Sequence, residues 1–233
     1  MSTKYFLLTK SSRDPVENDE KNQIISLNDL VYLLPQVNLS YYLSNGLFEK
    51  NLIEWVKQFC SKDKNLIDAG AHTGTYALSL SNYCQHVYAF EPQKMTYYAL
   101  CGSVALSNKH NITCYNVGLG SPEQCGKTQL KIVSNDGGGS TIQPCQNILR
   151  EEEITIETLD HLHLDNIGLI KVDVEGNEHS LLSGARQTLE RSNYPTILFE
   201  SNQTNEPLFS YLSQLGYKII NIRGYTNMFL ANF

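Results

Sequence analysis

The feature that most constrains the fold is a regular alternation of short apolar runs with longer amphipathic stretches, which begins near residue 65. Each apolar run suits one strand and each amphipathic stretch suits one helix. This order is typical of repeated βα units, in which helices cover both faces of a mostly parallel sheet. We predict seven strands, at residues 65–69, 86–90, 112–117, 169–174, 196–200, 218–222 and 228–231.

The stretches between these strands predict helices at residues 74–84, 93–107, 178–190 and 205–215, with an earlier one after Gly46. The connection between the last two strands is too short for a helical crossover, so we expect an antiparallel hairpin at the sheet edge. We therefore predict an α/β domain over residues 46–233. Residues 1–45 lack a clear period, and we expect a lead-in or cap segment there.

The rhythm is interrupted between about residues 120 and 160. Two apolar runs flank a glycine-rich turn at residues 136–140, which predicts inserted strands and loops. Loops on a rigid scaffold often carry specificity, so we expect substrate contacts here, with a simple surface hairpin as the alternative.

Composition excludes several classes of protein. The net charge of -6, without a cluster of lysines or arginines, argues against a nucleic-acid partner or an anionic membrane surface. No apolar run approaches the roughly 18 residues of a membrane-spanning helix, and the start of the chain does not resemble a signal peptide. The six cysteines form no C-x-x-C pair, so we expect reduced thiols in a cytoplasmic protein.

A glycine-rich turn joins the first predicted strand to the helix after it. It reads Gly70-Ala-His72-Thr-Gly74, and such turns let a bound nucleotide approach the backbone closely. Glu91 ends the second strand, where a carboxylate accepts hydrogen bonds from both ribose hydroxyls. We predict that Gly70, His72, Gly74 and Glu91 bind a nucleotide-like cofactor.

The charge of Asp68 separates two candidate cofactors. A pyrophosphate favours an electropositive loop, whereas S-adenosylmethionine (SAM) brings an α-ammonium and a sulfonium, which suit a carboxylate. The loop also lacks the second glycine of the dinucleotide pattern, because His72 stands there. We therefore predict that Asp68 contacts SAM, and we disfavour an NAD-dependent enzyme.

Two polar side chains near this loop have open roles. His72 either makes hydrogen bonds that shape the turn or packs beside the methionine part of SAM. After the third predicted strand, the side chain of Asn116 or a backbone amide of residues 116–118 is expected to read the adenine. A simple turn is the alternative there.

Charged residues alternate along a predicted central strand, at Lys171, Asp173 and Glu175. Alternate residues of a strand share a face, yet central parallel strands are normally apolar on both faces. Buried charges are unfavourable unless they pair or serve a site at the carboxyl end of the sheet. Glu200 is a further carboxylate at a strand end. We predict that these four residues are catalytic, with a structural Lys171–Asp173 ion pair as the alternative for part of the pattern.

The chain from about residue 46 to 202 resembles the FkbM-type methyltransferase family. The motifs that carry the resemblance are Asp68-Ala-Gly70-Ala-His72-Thr-Gly74, Ala89-Phe90-Glu91-Pro92, Glu157-Thr-Leu-Asp160, Leu169-Ile-Lys171-Val-Asp173-Val-Glu175-Gly176-Asn-Glu178, Leu182-Ser-Gly184-Ala185 and Pro195-Thr-Ile-Leu-Phe-Glu200. The chain departs from the family at His72, where the family usually has Asn. The resemblance implies a class I methyltransferase, Rossmann-like fold, SAM as methyl donor, and O-methylation of a sugar, glycan or polyketide-like hydroxyl.

A sugar hydroxyl is a poor nucleophile, so we expect a carboxylate base or a divalent cation to assist. Asp173 or Glu175 is predicted to lie nearest the acceptor oxygen, with Lys171 tuning it. Mg²⁺ or Mn²⁺ held by Asp173, Glu200 and Asn202 is the minority hypothesis. The expected partner is a sugar, glycan or other small molecule, without nucleic acid or membrane. A SAM-binding protein without catalysis is a further alternative.

Overall fold

The computed structural model describes residues 4–7, 23–27, 30–34, 45–134, 136–201 and 205–233. Asn202, one of the predicted metal ligands, lies outside these residues. The strands are β1 (Lys4–Leu7), β2 (Gln23–Leu27), β3 (Leu30–Leu34), β4 (Asn65–Ala69), β5 (Val87–Phe90), β6 (Ile112–Tyr115), β7 (Gly118–Leu119), β8 (Gly126–Ile132), β9 (Arg150–Glu157), β10 (Ile167–Val172), β11 (Thr196–Glu200), β12 (Lys218–Asn221) and β13 (Met228–Asn232). The helices are α1 (Lys50–Val56), α2 (Thr75–Leu80), α3 (Lys94–Leu106), α4 (Glu178–Ser183), α5 (Arg186–Arg191) and α6 (Glu206–Gln214).

Seven strands form the central sheet in the order β12-β13-β11-β10-β4-β5-β6. Within this sheet, each neighbouring pair in the series β11-β10-β4-β5-β6 is parallel, whereas β13 runs antiparallel to both of its neighbours. The predicted seven-stranded, mostly parallel sheet with an antiparallel C-terminal hairpin is confirmed. Every predicted strand is present, with ends that differ by a few residues.

Helices cover both faces of this sheet, as predicted. Leu66 of β4 belongs to a core cluster that includes residues of α1, α2 and α3. Its neighbour Ile67 belongs to a second cluster, which includes residues of α4, α5 and α6. Both side chains are fully buried, because successive side chains of a strand point to opposite faces. No helix in the described part of the chain is long and apolar enough to cross a membrane.

The helix predicted at residues 178–190 is two short helices, α4 and α5, so that prediction was wrong in its continuity. Gly184 lies at the break, where an added Cβ would come within 2.1 Å of the Gly120 carbonyl oxygen. Asp160, from a distant part of the chain, caps the N-terminus of α5. Its carboxylate accepts hydrogen bonds from the backbone N–H groups of Gln187 and Thr188 at 3.1 and 2.7 Å. Contacts distant in sequence therefore interrupt a continuous apolar stripe.

The inserted strands predicted between about residues 120 and 160 are present as a small sheet in the order β7-β9-β8. Four buried side chains from β8 and β9 form a core of their own, namely Leu130, Ile132, Ile154 and Ile156. The predicted strand at residues 112–117 ends at Tyr115, and β7 leaves the central sheet to pair with β9. This small sheet lies beside the carboxyl ends of β4 and β5 and carries the glycine-rich loop.

Strands also occur before residue 46, where the sequence shows no clear period. β1, β2 and β3 form an antiparallel sheet. β3 buries Leu30, Tyr32 and Leu34 in the same core cluster as α1–α3. Its backbone N–H groups at Val31 and Leu33 donate to the hydroxyls of Ser107 and Ser103. Residues 30–34 thus pack directly on the larger domain.

Candidate active site

A cavity of about 430 Å³ opens at the carboxyl edge of the central sheet. The loops that follow β4, β5 and β10 and the last residue of β11 line it, and the inserted loop at residues 136–142 forms one wall. Ligands of open α/β sheets bind at this edge, where the strand order reverses. The structure therefore brings the two predicted groups of site residues to a single cavity.

The glycine loop between β4 and α2 packs so tightly that two of its positions require glycine. Gly70 has a φ of 77°, and an added Cβ would lie 1.8 Å from the carbonyl oxygen of Asp173. Gly74 has a φ of 96°, and its Cβ would lie 2.8 Å from a methyl carbon of Leu100. Both φ values favour glycine, so these residues shape the loop by lacking side chains.

Glu91 lies at the end of β5 and lines the cavity. Its two carboxylate oxygens accept hydrogen bonds from the backbone N–H groups of His72 and Gln93, both at 2.9 Å. Burial raises the pKa of Glu91 to about 7, although these hydrogen bonds oppose the rise. Each carboxylate oxygen accepts more than one hydrogen bond, so Glu91 can also receive ribose hydroxyls.

Asp68 lies beneath the glycine loop and does not line the cavity, so the predicted direct contact with a ligand cation is not what the fold provides. Its side chain is fully buried, and one oxygen accepts the backbone N–H of Ala77 at 2.8 Å. The other lies 3.7 Å from Nζ of Lys171, the residue opposite it on β10. Burial raises the pKa of Asp68, while Lys171 and the Ala77 N–H oppose that rise. Asp68 thus anchors helix α2 and Lys171.

Lys171 joins the ends of β4 and β10. Its Nζ donates to the carbonyl oxygen of Gly70 at 2.8 Å, forms an ion pair with Asp173 at 3.2 Å and lies 5.2 Å from the centre of the Tyr76 ring. Burial lowers the pKa of Lys171, but Asp173 and Asp68 raise it more, so the net shift is upward. The Lys171–Asp173 ion pair, predicted from the sequence as the structural alternative, is therefore present. It holds the Asp173 side chain at the cavity.

The alternation predicted for Lys171, Asp173 and Glu175 stops after the first of them. β10 ends at Val172, and Glu175 has a φ of 51°, a left-handed conformation that no strand contains. Asp173 and Glu175 therefore belong to the loop beyond the strand.

Glu200 at the end of β11 lines the same cavity and accepts a hydrogen bond from the side-chain amide of Asn227. Burial, followed by the nearby charges of Asp173, Glu175 and Glu49, raises the pKa of Glu200 to about 7. Asp173 interacts with Lys171 as an ion pair, and its charge also acts on Glu200. The Asp173 carboxylate therefore interacts with one positive charge and with a second carboxylate.

Glu49 is a cavity residue that the sequence did not reveal. It immediately precedes α1 with a φ of 52°, and it accepts a hydrogen bond from the hydroxyl of Tyr76 at 2.7 Å. Burial raises the pKa of Tyr76, and the carboxylate of Glu49 raises it further. Only the packing of α1 against α2 brings Glu49 to the site, and no local motif marks it.

Two predicted site residues hold the inserted loop in place. The side chain of His72 donates from Nε2 to the carbonyl oxygen of Asp136 at 2.7 Å, and burial lowers its pKa. The Glu175 carboxylate accepts the backbone N–H of Gly139 at 3.1 Å. Burial and the charge of Asp173 raise the pKa of Glu175. His72 thus bonds a loop distant in sequence, and its Nδ1 also accepts a local hydrogen bond from the hydroxyl of Thr73 at 3.4 Å.

The side chain of Asn116 does not line the cavity, so it is not positioned to read an adenine. Its amide donates to the carbonyl oxygens of Glu91 and Pro92, both at 2.9 Å, and thereby fixes the turn after β5. The next residues, Val117 to Leu119, do line the cavity.

The divalent-metal site predicted at Asp173, Glu200 and Asn202 stays a prediction, because Asn202 lies outside the described residues. Among the described residues, no group of three or more histidine, cysteine, aspartate or glutamate side chains is placed to hold a metal ion.

The part of the cavity next to Glu91 fits an adenosine group. Its walls include Phe90, Val117, Leu119 and Ile156, which are apolar, and Glu91 adds the acceptors for a ribose. The backbone of the glycine loop borders the same space. These apolar side chains, the Glu91 carboxylate and the loop backbone therefore suit SAM, which combines an apolar base, a ribose and a cationic methionine group.

Comparison with known proteins identifies the family of the chain. The Methyltransferase FkbM domain model matches residues 68–219, which is more than half of the chain. No protein with a curated description matches the sequence.

Solved structures share the fold at low identity. The methyltransferase FkbM from Methylobacillus flagellatus KT is 18% identical with a TM-score of 0.53, and the match covers 74% of this chain and 44% of that one. SMU.1697c from Streptococcus mutans, solved in complex with SAH, is 14% identical with a TM-score of 0.51 over 78% and 94% of the two chains. A Clostridium thermocellum protein assigned as an rRNA methylase is 10% identical with a TM-score of 0.51 over 78% and 91%.

The chain thus spans less than half the length of the Methylobacillus protein. Identities this low establish the fold, while the family model establishes the family. The protein belongs to the FkbM family of SAM-dependent methyltransferases.

Proposed function

We propose that the protein transfers a methyl group from SAM to a hydroxyl of a sugar or glycan. The observation that carries this proposal is the pair of carboxylates, Asp173 and Glu200, beside the glycine loop in one cavity. The two groups have different surroundings, because Asp173 is paired with the cation of Lys171 whereas Glu200 accepts a hydrogen bond from the neutral amide of Asn227. Environments that separate two titratable groups in this way are typical of acid–base sites.

Glu200 is the proposed base. A hydroxyl needs help in losing its proton, and a general base acts best when its pKa lies near the working pH. The pKa of about 7 for Glu200 meets that condition. Glu175 is a weaker candidate than the sequence suggested, because its carboxylate already binds the inserted loop through Gly139.

Asp173 and Lys171 are the proposed positioning pair. Lys171 forms an ion pair with Asp173, and the charge of Asp173 adds to burial in raising the pKa of Glu200. A negative Asp173 at this point also favours a sulfonium over the neutral sulfur that remains after transfer. The pair thus stabilises the reactive state of the site without taking the proton.

SAM, when bound, supplies an electrophilic methyl group on a sulfonium. We assign its ribose to Glu91, its adenine to the apolar wall near Val117 and Leu119, and its methionine group to the backbone of the glycine loop. The inserted loop restricts access to the cavity from the solvent, which favours transfer to an oriented hydroxyl over transfer to water.

Charge supports a small acceptor over nucleic acid. The chain has a net charge of -6, and the charged residues among the described cavity lining are mainly acidic, whereas nucleic-acid sites present clustered positive charge. The fold shared with the Clostridium rRNA methylase does not choose between acceptors, since fold alone does not determine function.

The test is methyl transfer from radiolabelled SAM to a panel of free sugars, oligosaccharides, polyketide alcohols and RNA. We expect label in sugars, and a product heavier by one methyl group in the mass spectrum. The Glu200→Gln variant should lose transfer and still bind SAM in calorimetry. Label in RNA alone, or SAM binding without transfer to any sugar, would contradict the proposal.

A further inference from the structure

The charges that line the cavity are strongly unbalanced. Among the described lining residues, the acidic ones are Glu49, Glu91, Asp136, Asp173, Glu175 and Glu200, and the one permanently cationic residue is Lys171. Lys171 is only 4% exposed, and its ammonium is already engaged by the carbonyl oxygen of Gly70 and by Asp173. An anionic ligand would therefore meet carboxylates without a free positive charge in the described wall.

Half of these carboxylates are committed to the fold. Glu91 accepts two backbone N–H groups, Glu175 accepts the N–H of Gly139, and Asp136 accepts the N–H of Gly138 and the hydroxyl of Ser134. These bonds hold the cofactor loop and the inserted loop. They leave the other three acidic residues to determine the charge that the rest of the cavity presents.

Those three residues, Glu49, Asp173 and Glu200, are here named the acidic wall. The hydrogen-bond donors of Glu49 and Glu200 are the neutral groups of Tyr76 and Asn227. Burial raises the pKa of Glu200, and the charges of Asp173, Glu175 and Glu49 raise it further. One lysine therefore faces three carboxylates, and a ligand that brings a positive charge would relieve their repulsion.

The cation that suits the acidic wall is an organic ammonium. The described residues provide no cluster of three histidine, cysteine, aspartate or glutamate ligands for a metal ion. Phe48 lies beside Glu49, lines the same cavity and is 49% exposed. An aromatic face next to a carboxylate suits the C–H face of a sugar ring whose amine reaches the carboxylate.

We propose that the acceptor is an amino sugar, whose protonated amine binds the acidic wall at Glu49 while a neighbouring hydroxyl faces Asp173 and Glu200. This inference rests on the proposed function and names its substrate class. Sugars that carry phosphate or carboxylate groups are excluded by repulsion. Neutral sugars bind more weakly, because they lack the charge-assisted hydrogen bonds.

The first experiment compares three tetrasaccharides of one backbone type: the glucosamine tetramer, its fully N-acetylated form, and the glucose tetramer. Only the first is cationic at pH 7. We expect kcat/KM for methyl transfer to be at least about tenfold higher for the glucosamine tetramer, with a KM that rises as salt is added. Equal or better transfer to the two neutral sugars would overturn the inference and leave the proposed function intact.

If none of the three sugars is methylated, that result counts against the proposed function. The inference about the acidic wall is then tested by binding alone. Calorimetry with the SAH-loaded protein then compares the same tetramers. Preferential binding of the glucosamine tetramer supports the acidic wall as an ammonium site. Equal binding, or no binding of any of the three, overturns the inference.

The second experiment is the Glu49→Gln variant, with Glu54→Gln as the matched control on α1. Glu54 pairs with Lys57 at the surface and is not among the cavity residues. We expect Glu49→Gln to raise the KM for the glucosamine tetramer about tenfold more than the KM for the glucose tetramer. Loss of the Glu49 charge also lowers the pKa of Glu200, so we expect kcat to change by the same factor for both sugars. An equal rise in KM for both sugars would mean that Glu49 acts through packing, and would overturn the inference.

Discussion

The two ends of the cavity are built in different ways. The end proposed to bind the cofactor consists of backbone and apolar side chains from the adjacent loops after β4, β5 and β6, together with Glu91. The end proposed to bind the acceptor consists of charged side chains from segments far apart in sequence, among them Glu49, Asp173 and Glu200. A local motif can encode the first end, because its parts are neighbours in the chain. The second end exists only when the sheet and its flanking helices have formed.

Lys171 connects the two ends, and its removal should have the largest effect. Lys171→Met leaves the buried Asp68 and the partly buried Asp173 without their cation. We expect the free energy of unfolding to fall by about 3 kcal/mol or more, as when one partner of a buried pair is removed. Urea denaturation checks this. The double variant Asp68→Asn/Lys171→Met should regain part of the loss, and a double variant less stable than Lys171→Met would contradict the pairing.

Gly70, at the cofactor end, packs against the backbone of Asp173, at the acceptor end. Gly70→Ala places a Cβ against the Asp173 carbonyl and a side chain at positive φ, so we expect a loss of about 2–4 kcal/mol in the free energy of unfolding. Gly224→Ala is the matched control, because its φ is 94° and no atom lies within 4 Å of the added Cβ. It should cost about 1 kcal/mol. Equal losses in the two variants would show that backbone conformation, not the contact between strands, accounts for the effect.

Paired variants should separate the functions of the two ends. Glu200→Gln is expected to lower kcat by about 10²–10⁴-fold, the usual contribution of a general base, with little change in the Kd for SAM. Glu91→Gln is expected to raise that Kd by about tenfold, because the ribose loses an ionised acceptor. Calorimetry and steady-state kinetics on both variants check the pair. A large change in SAM affinity in Glu200→Gln would remove the distinction between the ends.

The pH dependence of SAM binding tests the cofactor end alone. Burial raises the pKa of Glu91 to about 7, so the ionised form that accepts the ribose hydroxyls prevails only above that pH. SAM affinity should therefore fall as the pH is lowered below about 7, by at most about tenfold per pH unit. Calorimetry between pH 5.5 and pH 8.5, values on either side of about 7, measures this. The Glu91→Gln variant should show a flat profile, and a slope retained in that variant would assign the titration to another group.

The smallest effect concerns His72, which joins the cofactor loop to the inserted loop. Asn is the replacement of choice, since it tolerates the left-handed conformation of residue 72 and lacks the ring that reaches Asp136. The loss of one hydrogen bond, worth about 1 kcal/mol, should raise the KM for the acceptor about fivefold and leave the Kd for SAM within about twofold. A larger change in SAM affinity than in acceptor KM would show that His72 serves the cofactor end.

Much of the fold was predictable because its elements follow from local patterns. All seven central strands, the C-terminal hairpin and the inserted strands are present. The errors have tertiary causes: Gly184 and Asp160 divide a predicted helix in two. β3 was not recognised, although it buries alternate residues against α3, because its flanking residues show no clear period. Period and composition report burial only where the pattern is long enough to read.

The sequence by itself determined the alternation of strands and helices, the glycine loop with Glu91, and the charged motif from Lys171 to Glu178. Each is fixed by residues close together in the chain, whose spacing sets strand period, turn conformation and strand ends. Tertiary structure alone decided that Asp68 lies under the loop, that Asn116 shapes a turn, that Glu175 and His72 hold the inserted loop, and that Glu49 joins the site. Those roles depend on which side chains line the cavity, and only the packing of distant segments determines that.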